Sequence, residues 1–405
     1  AGIDRPVVLY TTPQTYIDDV TVITDIDGTN GFVNYSVVVE GSDTVTARVS
    51  LFDKTGNEVV SDTVLQGTLF VQNANLWWPY LMDPNPGYLY TLQIQLIDPS
   101  GTLIDKYSLP IGIRTITWDS KSVKINDKPI YLRGFGRHED SDIKGKGLDL
   151  PLIIRDHNLI KWIGANSYRT SHYPYAEEIM DLADELGIMI IDESPSVNTE
   201  NFTSELLENH KKSLTELIQR DKNRPGVIMW SASNEPQTEY EESEDYYRQI
   251  VDHIKSLDAT RPVTVVNAQA PDDDHSGQFL DVACCNVYHG WYEEPGDLDV
   301  VVTEVVKVAR RWNELHDIPV IMTEYGADTL EGFHYVSFER NYNFNNNILQ
   351  LPSYMWSEEF QNNLLSKYWQ AFDQMRQEGF FVGEMIWNFA DFRTDQCKKD
   401  FVWRF

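Results

Sequence analysis

Two short stretches end apolar runs on carboxylates. In VIMWSASNEPQ, residues 227–237, the run stops at Ser233-Asn234-Glu235-Pro236. In TEYG, residues 323–326, Glu324 closes another. A charged side chain at the end of a core strand is costly unless a polar site receives it. Glycoside hydrolysis needs two carboxylates flanking the scissile bond. One attacks the anomeric carbon; the other protonates the leaving oxygen and then activates water. In the retaining form the two carboxyl groups lie about 5–5.5 Å apart. Glu235 is expected to be the acid, its pKa raised by burial and by the nearby anion. Glu324 is expected to stay ionised, held by Tyr and Arg donors. Asn234 is placed to bond a sugar 2-hydroxyl, a contact that strengthens in the transition state.

Other candidate strands also end in polar groups. Arg137-His138-Glu139-Asp140 follows the run at 131–136, and RTSHYP supplies Arg169, His172 and Tyr173. Asp192-Glu193, then Asn286, Tyr288, Trp291 and Tyr292, then Trp387-Asn388 complete the set. Aromatic faces cover apolar sugar faces, while amides and carboxylates bond hydroxyls. The set therefore suits carbohydrate. Each member also has a plainer reading. Asn-Glu-Pro could open a helix, where Pro and Glu suit the first turn. His172, Tyr288, Tyr292 and Trp387 could simply pack. Arg169 and Asp192 are expected in a structural charge network below the site. RHED could offer metal ligands, but no HExxH or Cys-x-x-Cys supports it, so no metal and no cofactor are expected.

These residues need a scaffold that gathers strand ends. Candidate strands at 131–136, 165–171, 187–193, 226–234, 263–268, 281–288, 319–325 and 383–390 alternate with helical patterns. Apolar residues recur at threes and fours in 176–186, 247–257, 301–315 and 360–375. Eight strand–helix units predict a (β/α)8 TIM barrel, whose sites lie at the C-terminal strand ends. Residues 1–112 read differently. ARVSLF at 47–52 and YTLQIQL at 90–96 alternate with period 2, between turns such as DGTNG and DKTGN. That predicts an immunoglobulin-like β-sandwich. The fold class is thus multidomain, a sandwich over 1–112 and a barrel over 113–405. VKINDKPIYLRG reads as a hairpin turning at Asn126-Asp127.

Composition narrows the partners. With 33 Lys and Arg against 63 Asp and Glu, the net charge is −30, which argues against nucleic acid and anionic membranes. No apolar run reaches the roughly 18 residues of a membrane span. Cys284, Cys285 and Cys397 make neither a disulfide framework nor a zinc spacing; the adjacent pair reads as core. Asn34 and Asn201 head Asn-x-Ser/Thr sequons, candidate glycosylation sites that imply a secretory route if used.

The wording of several segments goes further. SNEP and TEYG on a barrel behind a sandwich resemble family 2 of the glycoside hydrolases. GRHEDSDIKGKGLD, GANSYRTSHYPYAEE, NVYHGWY, TEYGADTLEGFH and GEMIWNFADF resemble, in order, its branch that cleaves β-glucuronosides. The resemblance implies Glu235 as acid/base and Glu324 as nucleophile. It places Asn234, Asp140, His172, Tyr288, Tyr292 and Trp387 along the sugar pocket. It implies terminal β-D-glucuronosides as substrate, homotetramers of full-length members and, for animal members, a lysosomal location.

The departures raise their own expectations. AGIDRPVVLYTTP resembles the end of a preceding jelly-roll domain, so the chain is expected to be processed or partial. No eighth helix follows strand eight, and the Asn-x-Lys element that grips a glucuronate carboxylate is not found. These features, with the Asn-rich stretch 338–353, are expected to come from an unspliced or mispredicted gene model. The alternatives are an inactive truncated fragment, or a family 2 glycosidase for another β-sugar such as a galactoside.

Overall fold

The computed structural model describes residues 3, 5–42, 44–141, 143–334 and 354–392. The expectations for Cys397 and for 338–353 lie outside them. Seven strands open the chain: β1 (Tyr16–Asp27), β2 (Asn30–Glu40), β3 (Thr46–Phe52), β4 (Glu58–Asp62), β5 (Gln66–Val71), β6 (Tyr90–Ile97) and β7 (Leu103–Ile111). They form two antiparallel sheets, ordered β1-β2-β5 and β4-β3-β6-β7. Alternation does the sorting. In β6, Tyr90, Leu92, Ile94 and Leu96 are buried while the residues between them are not. They meet Val33, Val49, Leu51 and Ile111 in one core. The DGTNG turn joins β1 to β2, pairing Asp27 with Asn30 across Gly28, whose φ of 60° suits glycine.

Three short strands, β8 (Ile116–Trp118), β9 (Val123–Ile125) and β10 (Lys128–Pro129), follow as a small sheet. Asn126 and Asp127 take φ of 49° and 64°, the doubly left-handed turn that Asn-Asp tolerates, and the hairpin falls where expected.

The rest is a closed parallel barrel of eight strands. In order they are β11 (Leu132–Gly136), β12 (Ser167–Arg169), β13 (Met189–Glu193), β14 (Val227–Asn234), β15 (Val263–Asn267), β16 (Ala283–Asn286), β17 (Val320–Glu324) and β18 (Phe381–Ile386). β11 pairs with β18, Leu132 opposite Gly383, and closes the ring. Around it lie α1 (Leu150–Trp162), α2 (Glu177–Leu186), α3 (Ser204–Asp221), α4 (Glu242–Leu257), α5 (Val301–His316) and α6 (Glu358–Glu378). Met189, Ile191, Met229, Val266, Cys284, Ile321 and Met385 are fully or nearly fully buried in one core. Cys284 and Cys285 are core as expected, and burial pushes the Cys284 thiol up to about 12.

Three details differ from the sequence reading. β18 covers 381–386 rather than 383–390, so Trp387 and Asn388 lie past its end. Between β15 and β16 the described residues form only a short 3-10 turn, Gly277–Phe279, instead of a helix. Pro271 and Asp272-Asp273-Asp274 break the helical pattern there, and Asp274 bonds the Ser276 and Gly277 amides. Helices α1 and α3 are not among the helical patterns read from the sequence, although α3 buries Leu207, Leu214, Leu217 and Ile218 on one face. Leu150, Ile154, Leu159 and Trp162 of α1 are exposed, which smears its stripe around the helix.

The sandwich docks beneath the barrel, opposite its C-terminal mouth. Arg114 donates to the carbonyls of Pro225 and Val227, where β14 begins, and the Trp77 indole donates to the Asp184 carbonyl.

One buried acid gives the barrel a pH-dependent stability. Glu384 on β18 lies by Tyr131, Arg133 and Arg376, and its Oε2 has no hydrogen-bond partner among the described residues. Burial raises its pKa from 4.5 to about 7. Ionisation is therefore disfavoured in the fold: nothing is lost at low pH, and a cost grows as pH rises from 4.5 to about 7. At neutral pH it amounts to roughly 3 kcal/mol. Glu384→Gln is expected to leave the melting temperature unchanged near the low end of that window and raise it at the high end. An increment independent of pH would contradict this.

Candidate active site

Arg169, at the end of β12, is fully buried at the mouth. One of its terminal nitrogens donates to both oxygens of Glu193, 2.8 and 2.9 Å away, and to Asn234 Oδ1 at 3.3 Å. The other donates to Glu324 Oε1. Arg is the cation for this place, because its planar fork serves several oxygens at once and it stays charged. Glu324 Oε2 accepts from the Tyr288 hydroxyl at 2.7 Å. Glu193 is also met by Ser231 Oγ at 2.7 Å and by His172 Nδ1 at 2.8 Å.

Glu235 stands just past β14, and its φ is 47°. A non-glycine residue there is strained, and such strain gathers at functional positions. Its amide donates to the Val266 carbonyl. Its Oε1 accepts from Asn286 Nδ2 at 2.8 Å, and the same nitrogen lies 3.3 Å from Asn234 Oδ1. Thr323 Oγ1 fixes the other end of the Asn286 amide at 3.0 Å. The two glutamates are thus joined by one polar chain: Glu235, Asn286, Asn234, Arg169, Glu324.

The electrostatics reverse one expectation. Glu324 is the buried glutamate, at 5% exposure, and Glu235 is only half-buried. Burial raises the Glu324 pKa, Arg169 pulls it back, and the charge of Glu235 pushes it up again. The difference arises because β17 stops at Glu324 inside the ring, while Glu235 has already turned out of β14. What distinguishes Glu324 is its donor set, Arg169 and Tyr288. Glu193 responds the opposite way: burial raises it, but Arg169 and His172 outweigh that and leave it lowered.

Aromatic groups line the same region. His172 stacks on Trp387 with ring centres 5.2 Å apart and planes at 16°, and His138 meets both edge-on. Tyr292 is 69% exposed and packs on Tyr288, 4.9 Å between centroids. Asp140 is half-buried on the loop after β11, where its charge acts on His138 and Tyr173. Glu235, Glu324, Asn234, His172, Tyr288, Tyr292 and Trp387 are therefore brought together. Asn34 and Asn201 are exposed elsewhere, the first on β2, the second just before α3.

Sequence reasoning placed Arg169 with Asp192 below the site. Asp192 does lie apart, bonded by Thr170 and raised by burial and by Asp221. Arg169 does not: it touches Glu324 itself. Glu193 and Asn286 are the other partners the sequence left unassigned. A signal existed for Glu193. Adjacent residues on a strand face opposite ways, so Asp192 and Glu193 could not share one network.

Comparison with known proteins gives the family. Residues 116–403 match the model of the glycosyl hydrolases family 2 TIM barrel domain, and residues 15–114 match a second glycosyl hydrolases family 2 model. The chain belongs to family 2 of the glycosyl hydrolases. It is 45% identical over 401 residues to the beta-glucuronidase of Sus scrofa and 43% identical to that of Homo sapiens. Each alignment covers 98% of this chain and 59% of the relative, so the chain spans under two thirds of those proteins' length. The beta-D-glucuronidase of Dictyoglomus thermophilum superposes with a TM-score of 0.86 at 40% identity, over 96% of this chain and 64% of that one. A Ruminococcus gnavus beta-glucuronidase in complex with D-glucuronic acid gives 0.85 at 36% identity, over 96% and 63%.

Removing Arg169 leaves two buried carboxylates without their cation, which typically costs about 3–5 kcal/mol. Arg169→Met is expected to lower the thermal midpoint sharply, read by calorimetry. A midpoint within a degree or so of wild type would show that the pairing carries little stability.

Proposed function

We propose that this chain hydrolyses terminal β-D-glucuronosides with retention of configuration. The observation that carries the proposal is the pair Glu235, just past β14, and Glu324, at the end of β17, joined by a polar chain yet given different partners. Arg169 and Tyr288 both donate to Glu324, and donors favour a carboxylate over a carboxylic acid. Glu324 is then the nucleophile. Its oxygen bonds to the anomeric carbon as Glu235 passes a proton to the departing oxygen. In the second half Glu235 takes a proton from water, and that water displaces Glu324. Tyr288 can follow the charge on Glu324 as it leaves and returns. Asn234, fixed by Arg169 and Asn286, is the candidate for the sugar 2-hydroxyl. Trp387 with His172 offers a flat face to the ring, while Tyr292 and Asp140 flank it.

The choice of glucuronate rests on the relatives, which are beta-glucuronidases at 45% identity and below. A lysosomal, secretory route is the companion reading, supported by the exposure of Asn34 and Asn201. No helix among the described residues is long and apolar enough to cross a membrane.

The direct test is release of a fluorescent phenol from its β-glucuronide by the purified chain, with the matching β-galactoside beside it. Cleavage of the glucuronide alone is expected; preference for the galactoside would overturn the substrate assignment. Glu324→Gln is expected to abolish turnover and keep a cooperative melt, and retained turnover would remove Glu324 as nucleophile. Glu235→Ala is expected to lose most on poor leaving groups and least on good ones, which need no proton. Equal loss on both would count against the acid role.

A further inference from the structure

The loop after β16 carries both site tyrosines and is knotted around one histidine. His289 lies between Tyr288 and Gly290 and is only 7% exposed. Its Nδ1 sits 2.9 Å from Glu293 Oε2 and 2.9 Å from Glu294 Oε2, while both glutamates are largely exposed. The backbone closes around the contact. The Trp291 and Tyr292 amides donate to the Tyr288 carbonyl, Gly290 N donates to Glu293 O at 2.6 Å, and Gly296 N donates to Gly290 O. Glu294 holds a φ of 45°, a strained value that its pairing with His289 helps to retain. Gly290, at φ 86°, is wedged where a Cβ would meet Leu364 of α6 and Val301 of α5 within 2.9 Å. The Tyr368 hydroxyl of α6 donates to the carbonyls of Val287 and His289.

One nitrogen facing two carboxylates is satisfied best by an imidazolium. Nδ1 carries at most one N–H in either state, so the gain on protonation is the positive charge, without which the two anions repel. We propose that His289 is a positioning residue for the site: its protonated ring, clasped by Glu293 and Glu294, holds the 288–296 loop so that Tyr288 reaches Glu324 and Tyr292 stands at the rim. The charged and titratable groups around it are few. Glu293 and Glu294 come from its own loop and Tyr368 from α6, while Lys307 of α5 pairs with Glu304 and feels Glu294. Burial opposes protonation of His289, but the bonds to the two glutamates outweigh it and raise its pKa. Glu293 agrees from its side: the bond to His289 is the leading cause that lowers it. The sign follows. A histidine whose pKa is raised in the fold stabilises the loop at low pH, and that contribution fades as pH climbs through the raised value. The clasp is full under mildly acidic conditions and opens on the alkaline side.

The consequence for turnover rests on the glycosidase reading; the behaviour of the loop does not. Two measurements on the full chain separate them. The first is hydrogen exchange of the amides in 288–296 at about pH 5.5 and about pH 8.5, either side of the ordinary histidine range, corrected for intrinsic rates. Wild type is expected to exchange several-fold more slowly at the acid value. His289→Gln is expected to exchange at the fast, alkaline rate at both. Equal protection in wild type at the two pH values, or undiminished protection in the variant, would overturn the proposal. So would loop protection that needs Zn2+ and vanishes with chelator, since a metal ion would then stand where the proton is placed. The second is the ratio of variant to wild-type kcat/KM on an aryl β-glucuronide, which cancels any pH dependence the two share. It is expected to be well below one in acid, chiefly through KM, and to approach one in alkali. A ratio constant with pH would overturn the link to the site. A chain that shows the exchange pattern but cleaves no glucuronide would count against the proposed function and leave the clasp standing.

Discussion

Among the described residues, a fully buried cation, Arg169, ties together the mouth of this barrel. Arg169 has no exposure to solvent, and a guanidinium there is tolerable only if carboxylates and further hydrogen bonds replace its water. Glu193 and Glu324 supply the charge, and Asn234 supplies a carbonyl oxygen. These partners come from β13, β17 and β14, so the arginine on β12 ties together strands far apart in sequence. Removing the cation would leave anions in a dry site. Removing the anions would leave the cation unpaired. The barrel register brings all four together.

On the proposed reading, that constraint also separates the roles of the two glutamates. Glu324 is the deeper of the two and would resist ionisation if left alone. Arg169 and Tyr288 offset part of that by giving its oxygens donors at fixed positions, while burial and the charge of Glu235 still leave its pKa raised. Glu235 lies beyond the end of its strand in a strained backbone conformation, with one amide donor from Asn286. The functional difference arises from partners rather than from depth, the reverse of what burial alone would assign. The loop of Tyr288 then becomes a second point of control, since the hydroxyl reaches Glu324 only while residues 288–296 keep their knot.

Much of this arrangement was legible in the sequence, for physical reasons. Barrel strands are buried on both faces, so they read as apolar runs, and polar residues at their ends stand out. Asn234-Glu235, Asn286, Glu324 and Trp387 were visible that way. The sandwich was visible from alternation in β3 and β6, and α2, α4, α5 and α6 from their apolar period. Helix α1 was not, because several of its large apolar residues face outward. The role of Arg169 was hidden for a different reason. Its bond to Glu324 spans 155 residues, and no local pattern reports a pairing across a closed sheet. The depth of Glu324 relative to Glu235 was equally hidden, because it depends on where each strand stops relative to the ring.

The central claim is that Glu324, held by Arg169 and Tyr288, forms a covalent bond to the sugar. The most direct measurement is mass spectrometry of the chain after incubation with a 2-deoxy-2-fluoro-β-glucuronosyl fluoride, which slows release of the intermediate more than its formation. The account predicts a mass increase of one fluoroglucuronosyl unit, located by peptide mapping on Glu324. An adduct on another residue, or turnover that gives the inverted product with no adduct, would contradict it.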